Sequence, residues 1–492
     1  DKFGYDVEIL GDVDGDGYDD LAVLSYDSKE AHLYHGSPTG LPASPDTTFT
    51  PSVYDVTAAG DLNGDGYADM LSVDTSVYVY YGSSAGLVTT PGATISFTYS
   101  TSGDVGAVAT GDVNGDGYGD LVLGQPAREN GEVNEGFASL YLGSSAGIAT
   151  TPHWIWESGQ VQAEAGFSVA IGDFDGDGSQ DLAVGAPYYD DGHTDEGAVF
   201  FFPGDGSTFA SSPSTVFQLD STDARLGRTM TSLADFDGDG DDELAVGAWG
   251  YGSLGTLFVQ RGSAYGPLTS PDHSLTGDGF NIAYYMVNAG DMDGDGLEEL
   301  ATAYSYAQEV EIIVGAGLSV GSSERVEVQD SDLDTRFGNA VSGRGDFDGD
   351  GYDDLAIGAY YTPSSSGSSS SDTGRVLVVY GASGMIPAPN NWTDIRTGDM
   401  DDDNFGYLLD AVGDLNGDGY PELAVSAGEG QEVHIFQGSS SGMETASAAE
   451  LTSSISDFGE GSMAGGDFDG DGYDDLLIGL PEYSNGQTEE GI

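Results

Sequence analysis

Residues 172–187 read GDFDGDGSQDLAVGAP, and this stretch decides the fold. Counting Asp173 as position 1, side-chain oxygens stand at positions 1, 3, 5 and 9 (Asp173, Asp175, Asp177 and Asp181). Gly178 occupies position 6, where such a loop turns sharply, and Ser179 at position 7 offers its backbone carbonyl. Oxygen donors at this spacing converge on one point and form a cage for a hard cation, calcium above all. An apolar run, Leu182 to Ala186, follows at once.

The pattern occurs nine times, and the copy at Asp173 belongs to unit 4. Unit 1 supplies Asp12, Asp14, Asp16 and Asp20 with the carbonyl of Tyr18; unit 2 supplies Asp61, Asn63, Asp65 and Asp69 with Tyr67. Unit 3 has Asp112, Asn114, Asp116 and Asp120 with Tyr118, and unit 5 has Asp235, Asp237, Asp239 and Glu243 with Asp241. Unit 6 has Asp291, Asp293, Asp295 and Glu299 with Leu297, and unit 7 has Asp346, Asp348, Asp350 and Asp354 with Tyr352. Unit 8 has Asp414, Asn416, Asp418 and Glu422 with Tyr420; unit 9 has Asp467, Asp469, Asp471 and Asp475 with Tyr473. About one calcium ion per loop, nine in all, is the expected cofactor content.

Helix-flanked calcium loops close with an acid at position 12. Here position 12 is Val23, Ser72, Leu123, Val184, Val246, Thr302, Ile357, Val425 or Ile478. The loop therefore belongs in a β-hairpin, with position 9 as the closing carboxylate and position 12 at the start of a buried strand. Without a cation, four such carboxylates would repel one another. A cage filled by protein oxygens leaves no open position for chemistry, so its expected role is structural.

Successive loops start 49 to 68 residues apart, a period typical of propellers and solenoids. Each unit carries a first segment that often contains Phe-Gly (Phe3-Gly4, Phe337-Gly338, Phe405-Gly406, Phe458-Gly459), then the loop and the apolar run. A third run ends in Gly, as in GAVFFFPG from Gly197, and a weaker fourth follows a turn such as GSSAG from Gly82. The runs are short, β-branched or aromatic, and bounded by Gly, Ser and Pro, which is strand chemistry; no helical period is sustained. The expected fold class is all-β: a β-propeller of four-stranded antiparallel blades, each with a calcium loop between its first and second strands. Approximate units are 1–50, 51–100, 101–158, 159–220, 221–277, 278–330, 331–398, 399–455 and 456–492, the last stopping where its third strand should begin. Closure as one large ring is favoured over seven blades plus the start of a second ring. The Ser-rich stretch Ser364–Asp372 falls between second and third strands and reads as a loop.

The chain has 85 acidic and 11 basic residues, a formal charge of −74, and no cysteine. Such a surface repels nucleic acid and anionic membranes, and it suits a salty, divalent-rich medium. Calcium must take the stapling role that disulfides cannot fill. No apolar run approaches the ~18 residues of a spanning helix, so direct membrane insertion is not expected. The expectation is an extracellular or cell-surface protein, bacterial and salt-tolerant, that extends beyond both ends of this chain. The open edge of the incomplete ninth blade would favour self-association.

On the Phe-Gly, acidic-loop and Gly-Ala-Pro elements, which unit 4 ends with Gly185-Ala186-Pro187, the chain resembles the FG-GAP repeats of integrin α-subunit propellers and their bacterial relatives. The resemblance covers essentially the whole chain. Unit 2 lacks both Phe-Gly and Gly-Ala-Pro, and unit 6 has ATAYS from Ala301. The resemblance implies calcium at the loops and usually seven blades, with which nine units conflict. The family includes lectins, a phospholipase and polysaccharide lyases, so the fold alone leaves the activity open.

Loops between second and third strands vary most: PARENGEVNEG from Pro126, PYYDDGHTDEG from Pro187. By the resemblance they lie on the face opposite the calcium loops, where loops carry recognition. Tyr188, Tyr189, His193, Trp249, Tyr251, Tyr360 and Tyr361 either contact a glycan or protein ligand there or plug the centre of the ring. Arg344-Gly345-Asp346 spells an integrin-recognised tripeptide, but Asp346 is position 1 of a loop. Gly317-Leu318-Ser319-Val320-Gly321 fits a nucleophile elbow yet falls in a turn after a third strand. His32, His35, His153, His193, His273 and His434 form no zinc spacing. No catalytic constellation emerges, so the function read here is adhesion or recognition. A polysaccharide-active enzyme and a structural spacer are the alternatives.

Overall fold

The structure, a computed structural model, describes residues 3–25, 28–38, 40–42, 44–49, 55–73, 76–97, 105–251, 255–263, 273–276, 286–304, 309–313, 325–329, 337–360, 374–383, 392–395, 404–427, 431–453, 458, 463–467 and 471–479. Among these residues all regular structure is β-strand. Eight four-stranded antiparallel sheets and one two-stranded sheet follow one another along the chain, each strand pairing with its neighbour in sequence. Unit 4 is typical: Ser168–Gly172, Asp181–Ala186, Ala198–Phe202 and Thr215–Gln218 pair in that order, with Val169 opposite Val184, Val184 opposite Phe200, and Phe200 opposite Val216.

The middle strands are apolar on both faces, and each sheet from unit 2 to unit 8 is sandwiched between two others. In unit 4, Leu182, Val184, Ala198, Phe200 and Phe202 pack against Val122, Leu140 and Trp154 of unit 3. The alternate residues Ala183, Val199 and Phe201 pack against Leu244, Val246 and Phe258 of unit 5. This period of two divides each sheet from unit 2 to unit 8 between two cores, and the eight cores lie at the eight junctions between consecutive units. The fourth strand lies at the rim; that of unit 8, Ala449–Thr452, is exposed throughout. A cavity of about 300 Å³ is lined by Val7, Glu8 and Ile9 of unit 1 together with Met463, Ala464 and Leu477 of unit 9.

Glycines of the second strand meet glycines near the start of the next unit at three junctions, those of units 3 and 4, 4 and 5, and 7 and 8. A Cβ placed on Gly185 would lie 2.1 Å from the carbonyl oxygen of Gly227 in the next unit, whose own φ is +79°. The same approach joins Gly124 to Gly166 and Gly358 to Gly406. Glycine on both sides lets two backbones touch where side chains would hold the sheets apart.

The second strand begins earlier than the sequence pattern suggests. It starts at position 9 itself (Asp20, Asp69, Asp120, Asp181, Glu243, Glu299, Asp354, Glu422, Asp475), not at position 12. Position 9 already pairs with the last residue of the first strand, as Asp181 does with Gly172. The closing carboxylate is thus carried on the sheet. The stretches Ser364–Asp372 and Gly317–Gly321 lie outside the described residues.

Candidate cation sites

Each acidic loop is a compact nest of backbone amides. In all nine loops the N–H of the position 6 glycine donates to the carboxylate at position 1, as Gly17 does to Asp12 Oδ2 at 2.9 Å. In all nine the N–H at position 7 donates to the carboxylate at position 5, as Tyr67 does to Asp65 Oδ1 at 3.1 Å. These bonds turn the acidic side chains inward. In units 1, 2 and 8 position 1 also accepts from positions 4 and 5, as Asp61 does from Gly64 and Asp65.

Position 9 joins the loop to the rest of its blade. Asp69 is fully buried, accepting at Oδ2 from Leu62 N–H at 2.9 Å and at Oδ1 from Gly82 N–H, just past the third strand, at 2.8 Å. Asp20, Asp120, Glu243 and Asp354 do the same with Gly36, Gly143, Gly262 and Gly381. Burial pushes these carboxyls up, and neighbouring loop carboxylates push the same way. Asp20 rises to about 6, Asp69, Asp181 and Glu422 to about 7, and Glu243 and Asp354 to about 8.

Carboxylate oxygens of Asp12, Asp14 and Asp16 lie within 4.8 Å of one another, as do those of Asp173, Asp175 and Asp181 and of Asp235, Asp237 and Asp239. In unit 4, Asp173 Oδ1 is buried without a hydrogen-bond partner. A buried carboxylate oxygen facing two more carboxylates is the donor set of a hard cation, so these residues fit calcium. In unit 4 a cation would offset the charge of Asp173, Asp175 and Asp181. In unit 9, Asp467, Asp471 and Asp475 are described, while Asp469 lies outside the described residues.

The loops also interlock from one unit to the next, which the sequence pattern did not reveal. A Cβ on Gly64, position 4 of unit 2, would lie 2.5 Å from Cε1 of Tyr118, position 7 of unit 3. Tyr67, Tyr352, Tyr420 and Tyr473 sit in the same way on Gly15, Gly294, Gly349 and Gly417. Position 8 adds backbone links: Ala68 N–H donates to the Asp12 carbonyl at 2.9 Å, and Asp353 N–H to that of Asp291 at 3.1 Å. In return, the carboxylates of Asp242, Asp353 and Asp474 accept from the N–H of Asp173, Asp291 and Asp414. The repeated Tyr at position 7 and Asp at position 8 were the available signal.

Two side chains at the end of third strands enter their own loop. His35 Nδ1 lies 3.3 Å from both Asp14 and Asp20. Arg261 Nε lies 2.7 Å from Asp237. His193 likewise joins Glu196 and Asp220 in an acidic cluster. Three of the six histidines, His35, His193 and His434, thus meet carboxylates despite their lack of sequence spacing.

At the opposite end of the sheets the second-to-third loops of units 3 and 4 share one form. Buried Glu135 accepts from Asn130 N–H and buried Glu196 from Asp191 N–H. Both loops then pair with the next unit through Gly136 with Ala165 and Gly197 with Leu226. Tyr189 and Tyr251 pack into the cores, their rings 5.2 Å from Phe200 and 5.7 Å from Phe258. Tyr360 packs on Tyr407. Arg228 lies over the rings of Trp249 and Phe167 and donates to Tyr188 Oη at 2.9 Å. His193 is partly exposed, and Tyr361 lies outside the described residues. Asp346 of the Arg-Gly-Asp tripeptide is turned into its own loop by Asp350 and Gly351, and Arg344 pairs with Glu298.

The FG-GAP repeat profile matches residues 165–202 and 337–379, and the FG-GAP-like repeat profile matches 12–72, 61–123 and 414–478. The chain belongs to the FG-GAP repeat family. This FG-GAP chain is 35% identical over 184 residues to phosphatidylinositol-glycan-specific phospholipase D of Bos taurus, covering 35% of this chain and 22% of that protein. It is 35% identical over 166 residues to integrin alpha-5 of Xenopus laevis, covering 32% and 15%. It is 32% identical over 269 residues to integrin alpha-PS2 of Drosophila melanogaster, covering 52% and 15%. The chain thus spans less than a quarter of the length of these relatives.

Proposed function

We propose that this FG-GAP chain is a calcium-stabilised β-propeller of the cell exterior that displays recognition loops to a glycan or protein ligand. The observation that carries the reading is the row of inward-turned, carboxylate-rich loops at one end of consecutive sheets, with a Tyr of the following loop seated on those of units 1, 2, 6, 7 and 8. Calcium at these loops would neutralise charge that otherwise opposes the packing of neighbouring units, and it is abundant outside cells. The cavity shared by the first and last units supports reading the nine units as one ring. The longer loops of units 3 and 4 stand at the other end of the sheets, tied down by Glu135 and Glu196, and so present a fixed surface. The strong negative charge argues against nucleic acid and anionic membranes as partners.

Elemental analysis of protein freed of loosely bound ions, paired with thermal unfolding with and without chelator, tests the calcium reading. Several ions per chain and a large, calcium-reversible fall in melting temperature are expected. An ion-free protein with an unchanged melting curve would sink it. Glycan and cell-surface protein arrays test recognition. Binding lost on replacing residues 190–194 supports it, and binding that survives removal of every second-to-third loop overturns it.

A further inference from the structure

We infer that the loop of unit 5 does not take calcium as its sister loops do, because Arg261 supplies a built-in cation in its place. This rests on the calcium reading of the other loops. Arg261 directly precedes Gly262, the glycine whose N–H holds Glu243 at position 9. Its Nε lies 2.7 Å from Oδ2 of Asp237, the position 3 carboxylate, which is only 4% exposed. The other oxygen of Asp237 accepts from Asp239 N–H at 3.1 Å. One face of the cage is therefore already closed by a positive charge.

The corresponding residues of the other units that precede the third-strand glycine are His35, Tyr81, Leu142, Pro203, Val314, Tyr380 and Gln437. None brings a permanent charge. A guanidinium stays protonated at any pH a protein survives, so it cannot step aside by losing a proton. A divalent ion entering this cage would sit against a fixed like charge and would have to displace the ion pair at Asp237.

Position 1 does not set this loop apart: Asp235 is exposed, as Asp112 and Asp467 are. The Asp235 carboxylate receives a single N–H, from Gly240, as that of Asp173 in unit 4 receives one from Gly178. Oxygens of Asp235, Asp237 and Asp239 remain within 4.8 Å of one another. The cage is intact in outline, and removing the guanidinium should open it.

The test counts calcium per chain by elemental analysis after gel filtration at low free calcium, for the full chain and three variants. Arg261→Gln is expected to gain one ion over the wild type. Asp237→Asn is expected to leave the count unchanged, while Asp175→Asn, the same position in unit 4, loses one. Circular dichroism checks that each variant is folded. Should Arg261→Gln fail to fold, the two Asp variants still decide. A loss of one ion in Asp237→Asn, or no gain in a folded Arg261→Gln, overturns the inference while leaving the calcium reading in place. No bound calcium in the wild type overturns both.

Discussion

Replacing Asp181 by Asn probes a cage at its most buried corner. Asp181 accepts at Oδ1 from Gly204 N–H at 2.7 Å and at Oδ2 from Asp175 N–H at 3.1 Å, and it has no exposed surface. Asparagine keeps one acceptor and turns an amide donor toward the other N–H. One buried N–H then lacks a partner, which costs about 1–3 kcal/mol. With calcium at a hundred times the dissociation constant of the site, losing the ion removes about 2.7 kcal/mol more. The two together come to about 4–6 kcal/mol. A cooperative unit of this length has an unfolding entropy of about 1 kcal/mol/K, so the melting temperature falls by about 4–6 °C. In excess chelator the second contribution disappears. The wild type then also carries a buried carboxylate pushed up to about 7, by desolvation first and by Asp175, Asp173 and Asp177 after it. Asparagine relieves that charge, so at pH 8 the penalty in chelator shrinks to about 1–3 °C or less. Calorimetry on both proteins in both media reads the difference. A penalty of equal size with and without calcium would mean that Asp181 holds no ion.

In chelator, stability should fall as pH rises from about 6 to about 8. The carboxyls at position 9 have folded values between about 6 (Asp20) and about 8 (Glu243, Asp354), above their unfolded values, so the folded chain binds more protons across that window. Their contribution is complete below the unfolded carboxyl range and lost through the folded values, and calcium should flatten the curve. A melting temperature that climbs with pH in chelator contradicts this. Two glycines of one loop should respond differently to alanine: Gly66→Ala, with φ +89° and open space around it, costs about 1–2 kcal/mol of backbone strain. Gly64→Ala adds a clash with Tyr118 and should cost about 1–3 kcal/mol more, read by urea unfolding; equal costs would deny the interlock. Phe202→Ala should cost about 3–5 kcal/mol, because Phe202 is fully buried and packs edge-on against Trp154 and Trp156 of unit 3. A loss under 1 kcal/mol in the same urea titration would mean that junction is not a packed core.

Much of this molecule is written locally. A side-chain oxygen at positions 1, 3, 5 and 9 with glycine at 4 and 6 forms one tight loop in every unit. The apolar run behind it can only be a strand buried on both faces. Both conclusions need nothing beyond short-range stereochemistry and a period of two. The second strand was legible, yet its start at position 9 was not, because pairing with the first strand, rather than apolarity, sets where a strand begins.

The repeat, the strand class and the set of oxygen donors are therefore local properties of the chain. How the repeats act on one another is set by their packing in three dimensions. That Gly185 needs no side chain because Gly227 lies against it, that Tyr118 is seated on Gly64, and that Arg261 fills the cage of Asp237 are facts about residues 24 to 54 positions apart. Such contacts depend on the angle and spacing at which one sheet lies on the next or folds back on itself. Those quantities come from the summed packing of whole faces, and no local pattern of residues encodes them.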